Sequence, residues 1–210
     1  MWVLLSIHLY VPSLTHCNAP GNCALWQKGI QHRDISPSNI MYKRIDGKIR
    51  GYLIDFDLAS LVGRESHNLN RTGTMPFMAL ELLGSVRSGG PPVIHVYAHD
   101  GEAVCWVVFW LGVQYKDGTR KKHSFQGWEM VDAATCRKEK LDVLFNGLDM
   151  HLFTEPNTLL QEPIRDLLRL LLIYYFQKCM TKGGVPVPDV GGWIDECDKK
   201  IQAQVSCFAK

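Results

Sequence analysis

The residues whose types and spacing could do chemistry lie between Gln31 and Asp55. Asp34 stands five positions before Asn39 in Gln31-His32-Arg33-Asp34-Ile35-Ser36-Pro37-Ser38-Asn39-Ile40, and Asp55 follows the apolar pair Leu53-Ile54. An acid, an amide and a second acid on two sides of one turn match the needs of phosphoryl transfer from a magnesium nucleotide. One acid orients the attacking hydroxyl, while an amide and a carboxylate hold the metal on the phosphates. The plainer role for Asp34 is a loop cap.

A hairpin must position these groups. Ile40-Met41-Tyr42 and Gly51-Tyr52-Leu53-Ile54 are strand-like, and Asp46-Gly47 between them is a strong hairpin turn. With Asp46 and Gly47 as the two turn residues, paired positions sum to 93 and Asn39 faces Ile54. That register brings Asn39 and Asp55 to the open end of the hairpin; a longer turn would separate them.

Further on, His99-Asp100 precedes Ala103-Val104-Cys105-Trp106-Val107-Val108-Phe109-Trp110-Leu111, a run apolar all round. Such a helix is buried on every side. It is read as the central helix, residues 100–115, with Asp100 near its N-terminus, where a carboxylate is favoured. Residues 24–29 read as the last turns of a helix stopped by Gly29. Residues 58–74 read as an exposed loop, and 75–83 as an apolar stretch ending in a short helix. Met130 to Phe145 and Glu162 to Lys178 carry helical periodicity, with Pro163 in the first turn of the second, and Trp193 to Phe208 reads as a last helix.

Composition bounds the rest. The chain has 210 residues, 46% hydrophobic and 21% charged, with a formal net charge of +2. That is an ordinary soluble composition, and the charge is too small to argue for nucleic acid or a membrane surface. The basic turn from Lys116 to His123 lacks interleaved aromatics and reads as a solvated loop. Seven cysteines without a C-x-x-C pair read as reduced thiols of an intracellular protein, cytoplasmic or nuclear, with no disulfide framework and no zinc site. The apolar start, Met1 to Val11, is too short to span a bilayer and lacks the basic start of a signal peptide.

Taken together, these residues resemble the protein kinase superfamily, and within it the fungal-type protein kinases. His32-Arg33-Asp34 followed by Asn39 is similar to the kinase catalytic loop, and Asp55-Phe56-Asp57 stands where kinases carry Asp-Phe-Gly. Thr72-Gly73-Thr74-Met75-Pro76-Phe77-Met78-Ala79-Leu80-Glu81 looks like the end of an activation segment. The forms Asp-Ile-Ser-Pro-Ser-Asn and Asp-Phe-Asp, with Met-Pro-Phe-Met-Ala-Leu-Glu-Leu-Leu, point to the fungal-type group. The resemblance implies a mostly α, α+β large lobe whose small β-hairpin carries the catalytic and metal loops. Residues 1–24 would then be an irregular lead-in and residues 25–182 the lobe. Within the lobe lie a catalytic loop at 31–40, a magnesium loop at 53–58 and an activation segment at 55–81. Residues 183–210 would form a loose tail with a short helix.

By that resemblance, Asp34 is the catalytic base, and Asn39 and Asp55 hold Mg2+ on ATP. His32 and Asp100 support the loop, and Thr74 shapes the substrate end of the segment. Arg33 is expected either to pair with a phosphate on Ser60, Ser66, Thr72 or Thr74, or to tie the loop to neighbouring carbonyls. Glu81 is expected to pair with an arginine of a later helix, Arg165 or Arg169.

Three departures stand out. Ser36 occupies the place of a lysine that reaches the γ-phosphate in many serine/threonine kinases. Asp57 replaces a flexible glycine, although Asp tolerates a left-handed backbone better than most residues. Only some thirty residues precede His32, and they hold no Gly-rich loop, no strand lysine and no partner glutamate helix. Lys28 is too close to the loop to substitute. The small lobe is therefore missing from the resemblance, and the chain alone is expected to bind Mg-ATP weakly or not at all. The function implied is transfer of the ATP γ-phosphate to a protein Ser or Thr hydroxyl. The alternatives are a catalytically inactive lobe acting as a binding module, or a small-molecule phosphotransferase.

Overall fold

In the computed structural model, the described residues are 25, 28–46, 48–63, 73–84, 93–116, 119–120, 124–147 and 161–180. They are mostly helical, with short antiparallel β pairs. The expected elements at 1–24, 183–192 and 193–208 lie outside them.

The hairpin forms in the register that the turn dictates. Strand β2, Ile40–Ile45, pairs with β3, Lys48–Leu53, with Ile40 opposite Leu53 and Ile45 opposite Lys48. Asp46 takes a φ of +51° at the turn, a conformation Asp tolerates. The pairing runs on past the strands, since Ile54 N donates to Asn39 O (2.9 Å).

The stretch after the hairpin is not wholly loop. A two-residue strand β1, Ile30–Gln31, pairs antiparallel with β4, Ser60–Leu61. Ser60 Oγ adds a bond to Gln31 Oε1 (3.3 Å). This bridge was hidden because two residues carry no readable alternation. A 3-10 turn at Met75–Phe77 leads to the short helix α1, Leu80–Gly84.

Helix α2, Tyr97–Gln114, is buried from Ala98 to Gln114. It begins three residues before Asp100. Aromatic rings gather along it: Trp106 meets Trp128 edge-on at 5.7 Å, and Phe109 meets Phe125 at 5.1 Å. Each such pair adds about 0.5–1.5 kcal/mol beyond the area it buries. The basic stretch after α2 begins with a short pair, β5 at Tyr115–Lys116 and β6 at Thr119–Arg120.

Helix α3, Ala133–Asn146, is capped by Asp132, whose carboxylate accepts from Ala134 N (2.8 Å) and Thr135 N (3.0 Å). It packs on α1, and α4, Gln161–Met180, packs on α2 and α3. No helix among the described residues is long and apolar enough to cross a membrane.

Among the described residues the core contains one lysine. Cys136, Lys140, Val143 and Leu144 form the buried stripe of α3, and Lys140 is 0% exposed. Its Nζ donates to Met78 O (2.6 Å) and lies over the Trp106 ring at 4.7 Å. Burial pushes this lysine down to about 8, against the opposing pull of Cys136 and Glu102. Below that pH both folded and unfolded chains carry the charge, and the fold bears its desolvation. Between about 8 and 10.5 the folded chain gives up the proton while the unfolded chain keeps it, so stability rises with pH. Relative to Lys140→Met, the wild-type urea midpoint should therefore climb across that window; parallel pH profiles would show that the ammonium is not desolvated.

Candidate functional site

One buried carboxylate fixes the loop that carries Asp34. Asp100, 2% exposed on the first turn of α2, accepts from His32 N through Oδ2 (2.8 Å) and from Arg33 N through Oδ1 (3.0 Å). His95 Nε2 also donates to Oδ1 (2.9 Å). Burial alone would push the Asp100 carboxyl up. The hydrogen bond and charge of His95, with the two backbone N–H groups, outweigh it and hold the group below the usual range. Just after these two N–H groups the chain turns toward Asp34, with Arg33 at φ +70°. A non-glycine residue there costs about 1–2 kcal/mol.

His32 locks the loop to the hairpin. Its ring is fully buried; Nε2 donates to Ile54 O (3.0 Å) and Nδ1 accepts from Asp34 N (3.4 Å). The ring also meets Phe56 edge-on at 4.8 Å.

Asp34 is held on both oxygens. Oδ1 accepts from Thr74 N (2.7 Å) and Thr74 Oγ1 (2.8 Å). Oδ2 accepts from Asn39 Nδ2 (2.9 Å), which also donates to Asp34 O (3.0 Å). The approach of the 73–74 segment requires glycine: Gly73 has φ +132°, and a Cβ there would stand 3.0 Å from Arg33 O.

Asp34, Asn39 and Thr74 are thus in direct contact. Asp55 follows Ile54, which is paired with Asn39, but its side chain is exposed. The left-handed residue of this stretch is Asp55, at φ +62°; Asp57, the position expected to need it, is not among the positive-φ residues. Ser36 is buried, with its Oγ 2.8 Å from Ser38 Oγ, and supplies no charge. Among the described residues no group of three or more His, Cys, Asp or Glu is placed to hold a metal ion by itself.

The partner of Glu81 differs from expectation. Glu81 Oε2 accepts from His99 Nε2 (3.1 Å) and from Lys178 Nζ, while Arg165 pairs with Glu162 and Arg169 with Asp166 within α4. The basic partner is on the expected helix but nearer its C-terminal end. The His99 bond, then Lys178, hold Glu81 down to about 2 against the opposing effect of burial. Of the hydroxyls considered as phosphate acceptors, Ser60 and Thr74 donate to Gln31 and Asp34, and Ser66 and Thr72 lie outside the described residues. Arg33 Nε is buried without a hydrogen-bond partner among the described residues. It borders a cavity of about 10 Å³, the size of one water molecule.

Sequence reasoning missed His95, Glu102 and Lys178. Glu102 had a signal: it is an acid one position before an apolar run. In the structure Glu102 Oε1 accepts from Leu80 N and Trp106 Nε1, both at 2.9 Å, and Tyr175 OH donates to Oε2. Burial, with the Glu102 charge beside it, raises the Tyr175 hydroxyl well above its ordinary value.

Comparison with known proteins gives the kinship. Residues 20–112 match the family described as fungal protein kinase, so a fungal-type protein kinase domain is present over that part of the chain. This supports membership of the protein kinase superfamily. Sperm motility kinases 1 and 3A of Mus musculus are each 43% identical over 67 residues, 31% of this chain. Serine/threonine-protein kinase 32C of Mus musculus is 23% identical over 174 residues, 82% of this chain. The matches span 13%, 12% and 32% of those three relatives.

Replacing Asp100 with alanine would strand two N–H groups of the loop. At about 1–3 kcal/mol for each unsatisfied group, Asp100→Ala should lower unfolding stability by at least 2 kcal/mol. Denaturant titration checks this, and a loss below about 0.5 kcal/mol, the range of an ordinary surface substitution, would contradict it.

Proposed function

We propose that this chain carries the catalytic face of a protein-kinase-type phosphotransferase, moving the ATP γ-phosphoryl group to a protein serine or threonine hydroxyl. The observation that carries the reading is the Asp34 carboxylate. It is fixed by Asn39 on one oxygen and by Thr74 on the other, on a loop anchored by a buried acid. A carboxylate has about four acceptor positions. The described residues use three, and one remains to take the hydrogen bond of an incoming hydroxyl. Such pre-organisation is what a general base needs. The kinase names of the relatives support the reaction class, and one is named as a serine/threonine kinase. The reading carries with it an intracellular setting.

Asn39 and Asp55 would hold Mg2+. Their oxygens suit a hard cation that keeps several waters and phosphate oxygens as ligands, so two protein donors suffice. Asn39 fits this role, because its amide nitrogen is engaged by Asp34 and, among the described residues, the amide oxygen is left for the cation. When bound, the metal supplies neutralisation of the charge on the phosphoryl oxygens. This chain's residues orient the hydroxyl, through Asp34, and keep Asp34 in place, through Thr74 and His32.

A second reading, a non-catalytic binding module, is favoured by Ser36, which is buried where a phosphate-reaching cation would stand. Met41, Tyr42 and Phe56, each more than 40% exposed, add apolar surface around the hairpin that a partner would cover.

Phosphoryl transfer from γ-labelled ATP with Mg2+ should be measured on protein acceptors and on small alcohols. The expected result is labelling of Ser/Thr peptides that falls about 10²–10⁴-fold in Asp34→Asn, the range a positioned base contributes. Labelling of small alcohols alone would move the reading to small-molecule phosphotransfer. No labelling, together with no Mg-ADP thermal shift that Asp55→Ala abolishes, would leave the binding module.

A further inference from the structure

Helix α3 reaches the 75–80 segment through three backbone carbonyls. Cys136 Sγ lies 3.9 Å from Met75 O, Lys140 Nζ donates to Met78 O (2.6 Å), and Arg137 Nε donates to Leu80 O (3.1 Å). Lys140 is the unexpected member. Its ammonium is fully buried beneath Trp106 and near Trp128, with Cys136 on its own helix and Glu102 on α2 as the titratable groups acting on it. A methionine would fill the same slot without desolvating a charge. What the lysine adds is the bond to Met78 O.

That bond leads to Asp34 in a few steps. Phe77 N donates to Thr74 O (2.9 Å) and Met78 N to Met75 O (3.2 Å), which closes the 3-10 turn into one unit. The Met78 side chain packs against Gly73, with Cγ 3.4 Å from where a Cβ would stand and Asp34 Oδ1 at 3.8 Å from the same point. The next residue, Thr74, donates twice to Asp34 Oδ1.

We infer that Lys140 is a positioning residue for the site: by holding Met78 O it fixes the turn from which Thr74 reaches Asp34. The amine donates whether charged or neutral, so the hold persists through its titration. The inference rests on the reading of Asp34 as the reacting acid. Its test reads a hydrogen bond rather than turnover, so the two can fail separately.

The experiment is native-state amide hydrogen exchange on the full chain, wild type and Lys140→Met. Thr74 N–H is expected to exchange at least about tenfold faster in the variant, while Val107 and Phe109 in α2 keep their protection, because local openings are separable from global ones. Unchanged Thr74 protection in the folded variant overturns the inference. So does an equal acceleration at Thr74, Val107 and Phe109, which would make Lys140 a contributor to overall stability alone. If the variant does not fold, the wild type decides. Thr74, Phe77 and Met78 sharing one opening supports the inference, and Thr74 opening without them overturns it.

Discussion

The site depends on a carboxylate buried in the protein interior. Asp100 is buried, and a buried charge must be paired and hydrogen-bonded or it neutralises. The structure meets that requirement with His95 and the N–H groups of His32 and Arg33. The same bonds that satisfy Asp100 determine where the loop runs. Arg33 is held in a backbone region it would otherwise avoid, and Asp34 is delivered one residue later. The rigidity of α2 is part of the device, since a helix packed on all sides cannot shift its first turn without disturbing the whole core.

Two more ionisable groups extend this pattern into the interior. Glu102 joins α1, α2 and α4 through Leu80 N, Trp106 Nε1 and Tyr175 OH. Lys140 joins α3 to Met78 O. Each is costly to bury, and apolar substitutes could pack at least as stably. What they share is a bond to the backbone between Met78 and Leu80, where the chain has little regular structure of its own. Polar anchors give that segment a single register, which hydrophobic contact alone, being non-directional, would not.

What could be read from sequence follows from the range of the forces involved. The hairpin register was legible because Asp46-Gly47 dictates it locally, and the ladder pairs Ile40 with Leu53 as that turn requires. The buried central helix was legible because an all-apolar run has few other places to go. The β1–β4 bridge was not, since two-residue strands are defined by pairing alone. Lys178 as the partner of Glu81 was not legible either. Several cations on α4 satisfied the charge argument, and only the packing of α4 decides which one arrives. Lys140 left a fainter trace, because it falls in register with Cys136, Val143 and Leu144 on the buried stripe. A lysine in that register reads as a tolerated surface residue until Met78 O is seen above it.

The candidate site is unevenly constrained, and the unevenness fits the chemistry proposed for it. Asp34 is held by three side-chain hydrogen bonds and a fixed loop, so its carboxylate has one geometry. Asp55 is exposed, at a positive φ, and among the described residues is tied in through its neighbour Ile54. An acid that aims a hydroxyl must be in place before the reaction, because misplacement by an ångström costs orders of magnitude in rate. A metal ligand has different demands, because the cation brings waters and phosphate oxygens that complete its own coordination. Under the phosphotransfer reading, the fold therefore spends its buried interactions on the acid and leaves the metal side to be ordered by the ligand.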